Sequence, residues 1–317
     1  GVSPTATLDK IAVTDAQRRR EQVAKMSPAE RDKLLEDAAK DRYAKANVKT
    51  QPESFSGNSV LIFSSLSKDR AQSLAKLLDQ NQQTLRGLLA RPGQAPVLQD
   101  KLSVYVFSDR NAYVEFVRAV ENREVEAGQQ AHSRLNVEMP YLAAVDPSPG
   151  GQDSPSSGGA KKAGRTKKSH DILTPERSLG GLLSEELGVA AANQAGKPPR
   201  LLSMGLGTFL GAQVDRGSPY YQKLYRVAND QYRLGWETKA TEALGGEADD
   251  EKTKALGLTM IEWMMASQRQ RFPYFVKGLL DGPQNLDKLI KDFWNIDRKQ
   301  FLATWGGFVM SKYGRVR

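Results

Sequence analysis

Cysteine is absent from the 317 residues, and histidine occurs only twice, as His132 and His170. The lack of cysteine excludes disulfides, thiolate zinc sites, cysteine nucleophiles and CxxCH haem attachment, and it suits a reducing or an oxidising compartment equally. The two histidines fall in stretches read as loops, at a spacing unlike that of a helical ligand pair, and are assigned to the surface. No apolar run approaches the roughly 20 residues that span a bilayer. The N-terminus carries no basic-then-apolar export signal. Gly1 stands where an initiator Met is usual, so localisation is left open. Also missing are a P-loop, an EF-hand loop, a G-x-S-x-G elbow around Ser203 and an internal repeat of fixed period.

What is present suffices for a folded protein. A hydrophobic fraction of 39% beside 26% charged residues, with four Trp, argues against wholesale disorder. The formal net charge of +9 is unevenly spread. Lys161, Lys162, Arg165, Lys167 and Lys168 crowd into "SPSSGGAKKAGRTKKSH", opposed nearby only by Asp153. Its Gly, Ser, Pro and Lys content predicts a solvated loop, with polyanion binding as the alternative. No aromatic residue interleaves these charges, so base stacking has no platform there.

Along the chain, "SPAERDKLLEDAAKDRYAKAN" carries a helix start: Ser27 as N-cap, Pro28 in the first helical position and Glu30 closing a capping box. Leu34, Leu35, Ala38, Ala39 and Tyr43 then form a narrow apolar stripe that leans on the main domain or on a partner. Strand character follows in "VLIFSS", "KLSVYVFSD" and "MPYLAAVDP", with a Leu-rich helix after the first and "RNAYVEFVRAVENRE" after the second. Beyond the basic loop the pattern is helical, over 175–194, 199–213, 220–244, 256–270, 273–280, 286–293 and 298–313. The fold class is α+β, with a small sheet layer first and helices after. Trp236, Trp263, Phe272, Tyr274, Phe275, Phe293, Trp294 and Trp305, with Met260, Met264 and Met265, are assigned to the core of those helices. The glycines of "GLGTFLG" do not make a dinucleotide fingerprint and are assigned to close helix packing.

The stretch "GGLLSEELGVAAANQ" holds the frame of a zinc-peptidase helix, in which two His at i and i+4 face one metal and a Glu beside the first polarises bound water. Glu185 stands in the first His position, Glu186 in the general-base position and Val189 in the second His position. In "PPRLLSMGLGTFLGAQ", Met204 stands where a third ligand belongs. With "VYVFSDRNAYVEF", "RFPYFVKGLLDGPQNLDKLIKDFWNID" and "FLATWGGFV" in the same order, the chain from about Ser59 to Tyr313 resembles the peptidase MA-like, gluzincin-type family.

The resemblance implies a zincin-like helical part, metal-dependent peptide hydrolysis and export to the cell envelope. The sequence departs from the family at every ligand, so no zinc, no other cofactor and no catalytic residue is expected. Glu185 and Glu186 project about 100° apart, which does not suit paired acid–base work on one bond. The expected organisation is a charged helical extension over 1–54, an α/β subdomain over 55–150, a flexible basic loop over 151–170 and a helical zincin-like subdomain over 171–317. The expected function is that of an inactive peptidase-like module that binds a protein partner or a second copy, with peptide held in the inherited cleft. Polyanion or nucleic-acid binding through the basic loop is the alternative, and non-zinc hydrolysis around Glu186 comes third.

Overall fold

The computed structural model describes residues 26–46, 52–91, 93, 97–98, 101–137, 139–148, 177–282 and 286–314. Among them are five strands and eleven helices, an α+β arrangement with the sheet first. The helix α1 (Pro28–Ala44) precedes β1 (Glu53–Ser56) and β2 (Val60–Ser64); α2 (Lys68–Leu89) leads to β3 (Leu102–Phe107), and α3 (Arg110–Glu121) to β4 (Ala131–Arg134) and β5 (Tyr141–Val145). The helical part comprises α4 (Leu179–Ala195), α5 (Arg200–Asp215), α6 (Pro219–Arg233), α7 (Trp236–Gly245), α8 (Asp250–Ser267), α9 (Phe272–Leu279), α10 (Leu286–Trp294) and α11 (Arg298–Tyr313).

The sheet order is β1-β2-β3-β5-β4. The three central strands run parallel, and each edge strand is antiparallel to its neighbour. The central strands are the apolar runs found in the sequence, and they are buried on both faces, as parallel strands require. On one face Ile62, Val104, Val106, Leu142 and Ala144 meet Leu74 and Leu78 of α2 and Leu183 and Leu187 of α4. On the other, Phe63, Tyr105, Phe107 and Ala143 meet Ala39 and Tyr43 of α1 and Tyr113, Phe116 and Val117 of α3. The apolar stripe of α1 therefore lies against the main body, with Tyr43 stacked on Phe107 at 5.1 Å between centroids. Ser27 and Glu30 close the expected capping box.

The two edge strands escape a reading based on hydropathy. "ESFS" and "AHSR" are four residues long and hold one large apolar side chain between them, so their pairing is dictated by the neighbouring strand. The single helix expected over 220–244 is two, because Gly235 takes φ +110 between α6 and α7 and interrupts the run. Of the aromatic residues assigned to the core, Tyr274 is exposed. Trp236, Trp263, Phe272, Phe275 and Trp305 are buried, while Phe293 and Trp294 pack partly buried against them.

Glycines hold the helical part together. Helix α4 crosses α5 where Gly188 meets Gly207; a Cβ on Gly188 would lie 2.6 Å from the Gly207 Cα. On its other side α5 meets α8 through Gly205 and Gly257, where a Cβ on Gly205 would lie 2.7 Å from the Gly257 carbonyl carbon. Close approach of backbones, as expected for "GLGTFLG", is what these glycines allow.

Candidate functional site

Helix α4 begins at Ser178, whose side chain accepts from the Gly181 N–H at 3.1 Å. It then runs between β4 and β5 on one side and α5 on the other. Consecutive residues on it face different surroundings, and Glu185 and Glu186 are separated accordingly.

Glu185 is buried in a cage of four donors. Arg177 Nη1 donates to Oε2 at 2.8 Å and Lys254 Nζ to Oε1 at 2.7 Å. The hydroxyls of Tyr220 and Tyr221 add bonds of 3.1 and 3.3 Å. The Arg177 guanidinium also lies over the Tyr220 ring, 4.5 Å from its centroid. Burial works against the Glu185 charge, but the Lys254 and Arg177 charges outweigh it and hold the carboxyl below its ordinary range. Burial likewise disfavours the Lys254 charge, and Glu185 reverses the balance, so this amine stays protonated above its ordinary range. Burial, then the nearby Glu185, pushes the Tyr221 hydroxyl far up, which keeps it a neutral donor.

Zinc, the metal that the peptidase resemblance implies, does not fit these residues. In the first His position stands a carboxylate with one cation on each oxygen. The second and third ligand positions hold Val189 and Met204, which offer no imidazole or carboxylate. Val189 also abuts α5, since a Cβ on Gly207 would come 2.6 Å from its Cγ2. Among the described residues no group of three or more His, Cys, Asp or Glu is placed to hold a metal ion.

Glu186 faces the other way, toward the sheet edge. It is half-buried and accepts a hydrogen bond of 2.7 Å from the Ser133 hydroxyl of β4. Among the described residues Glu186 pairs with no cation, and Ser133 is its hydrogen-bond partner. β4 itself is an edge strand. The Val145 N–H donates to the Gln130 carbonyl, and Ala131 is opposite Ala144. Antiparallel alternation then turns the backbone N–H and C=O of Ala131 and Ser133 away from β5, toward the side of β4 on which no described strand pairs.

His132 is not the surface loop residue that the sequence suggests. It lies on β4, 5% exposed, on the sheet face that packs against Tyr113 and Phe116 of α3. The Tyr113 hydroxyl sits 2.7 Å from Nδ1, and Nε2 faces Glu121. Glu121 also receives Arg123 at 2.6 Å, Arg134 at 2.9 Å and the Tyr141 hydroxyl at 2.7 Å. Burial opposes its charge, but His132 and Arg123 outweigh that and hold the carboxyl well below the ordinary range. A third such cage surrounds Glu262 of α8, with the Tyr225 hydroxyl at 3.0 Å, Lys312 at 3.1 Å and Arg216 at 3.5 Å.

His170 and the five cations Lys161, Lys162, Arg165, Lys167 and Lys168 lie outside the described residues. Arg177, Lys254, Tyr220, Tyr221 and Ser133 escape sequence reasoning. Lys254 and Glu262 do leave a trace, because a charge inside the buried run of α8 demands an opposite charge from elsewhere in the fold. Compared with known proteins, the chain matches no family model and no curated protein.

Proposed function

We propose that this chain is a binding module on a peptidase-like frame, which holds an extended segment of a partner protein along β4 and does not cleave it. The observation that carries this reading is the pairing of an occupied metal position with an open strand edge. Glu185, Val189 and Met204 fill the places of the three ligands with an ion-paired carboxylate and two apolar side chains. Beside them, the outward backbone groups of Ala131 and Ser133 offer hydrogen bonds to an added strand, a mode in which the main chain supplies affinity and pockets supply choice. The half-buried side chain of Glu186, bonded to Ser133 of β4, lies beside that edge and supplies a charged contact for such choice.

The test is retention of peptides from a digested, denatured protein on the immobilised chain, with the bound and unbound pools read by mass spectrometry. Peptides should be retained intact. Retention should be lost in Ala131→Pro, which removes the outward N–H but leaves the bonds to β5 in place. New cleavage products, or retention that is unchanged in Ala131→Pro, would overturn the proposal.

A further inference from the structure

Among the described residues, three glutamates in ion pairs have side chains no more than 5% exposed, and each faces two cations: Glu121 faces Arg123 and Arg134, Glu185 faces Arg177 and Lys254, and Glu262 faces Lys312 and Arg216. Glu186 lies beside two of these cages and differs from all three. It is the chain neighbour of Glu185, and its acceptor oxygen bonds the residue after His132 on β4. Among the described residues, the cations nearest in the chain and on β4, Arg177 and Arg134, pair with Glu185 and Glu121. What remains for Glu186 is one neutral hydroxyl, from Ser133. A carboxylate carries about four lone-pair sites, so the described protein groups leave Glu186, which is half-buried, able to accept further donors. Ser133 is also, with Ala131, one of the two residues whose backbone groups face away from β5.

From this contrast we infer that Glu186 selects a cationic residue, Lys or Arg, in the extended peptide that lies along β4. The inference rests on the peptide-holding reading above and adds the chemistry of the partner. A strand paired with β4 places alternate side chains over α4. One of them meets Glu186, and its ammonium or guanidinium supplies the charged donors that the fold withholds. Its apolar stem passes over the neighbouring half-buried Val189. An acidic side chain in the same place is rejected by like charge.

The experiment uses the full chain and short acetylated and amidated peptides of alternating Val and Thr, with a single central Lys, norleucine or Glu. Binding is read by fluorescence anisotropy at near-physiological salt. The Lys peptide should bind at least about tenfold more tightly than the norleucine peptide, the expected scale for a hydrogen bond to a charged group, with the Glu peptide weakest. In Glu186→Gln, whose amide oxygen still accepts from Ser133, the Lys and norleucine peptides should bind alike. In Ser133→Ala, which keeps the charge and removes its neutral donor, the preference for Lys should persist; this variant covers a failure of Glu186→Gln to fold. If Ala131→Pro abolishes binding of every peptide but Lys gains nothing over norleucine, or its gain survives in Glu186→Gln, the inference falls and the peptide-holding reading stands. If no peptide binds, or Ala131→Pro changes nothing, that reading fails and the inference fails with it.

Discussion

Glu185 shows how neighbouring cations can hold one buried carboxylate: Oε2 faces Arg177 and Oε1 faces Lys254. Glu185→Gln would leave both cations short of their counter-charge and should destabilise the fold by about 3–5 kcal/mol, read from urea unfolding. The pH dependence has a definite sign. The carboxyls of Glu185 and Glu121 are held below their ordinary range when folded. Their contribution is therefore full above the unfolded-state value of about 4.3 and is lost as pH falls through the folded values. The urea midpoint should drop in acid, and the drop should be shallower in Glu185→Gln. An equally steep acid limb in that variant would show that Glu185 is not among the linked groups.

Elements in the helical part are positioned by small residues at the helix crossings. The packing of α4 on α5 and of α5 on α8 depends on glycine at 188, 207, 205 and 257, where a methyl group would meet backbone. Gly207→Ala should cost about 1–3 kcal/mol or more, since overpacking here forces two helices apart. Gly307→Ala on α11 is the matched control. A Cβ there meets nothing within 4 Å, so the substitution should raise stability by about 0.5–1 kcal/mol through backbone entropy and helix propensity. Urea midpoints moving in opposite directions for the two variants would confirm that helix contact, not helix propensity, governs the glycine pattern. At this scale the central strands and most helices are legible in the sequence, because apolar periodicity is a local property. β1 and β4 are not, because a four-residue edge strand draws its hydrogen bonds from a neighbour already in place.

On the scale of the whole molecule, one apolar core runs from β2, β3 and β5 through α2 and α4 into the helices as far as α11. Sheet and helices should therefore unfold together. All four Trp lie between 236 and 305, so their fluorescence reports the helical part alone. The chain has no cysteine, so Ser103→Cys on buried β3 reports the sheet as a single thiol. Fluorescence change and thiol exposure should share one urea midpoint; two separate midpoints would mean that the core does not couple the two parts.

Composition and order by themselves determined the α+β class and the places of the apolar strands and most helices. Each of these depends on residue identity or on short-range spacing. Only the tertiary structure decided that His132 is buried, that Glu185 is locked by Arg177 and Lys254, and that Glu186 bonds Ser133 at an open strand edge. Those outcomes join residues distant in the chain, and a buried charge takes its partner from whichever element packs against it. Sequence can announce the need for such a partner, as at Lys254 and Glu262, but the packing of helices and sheet chooses it.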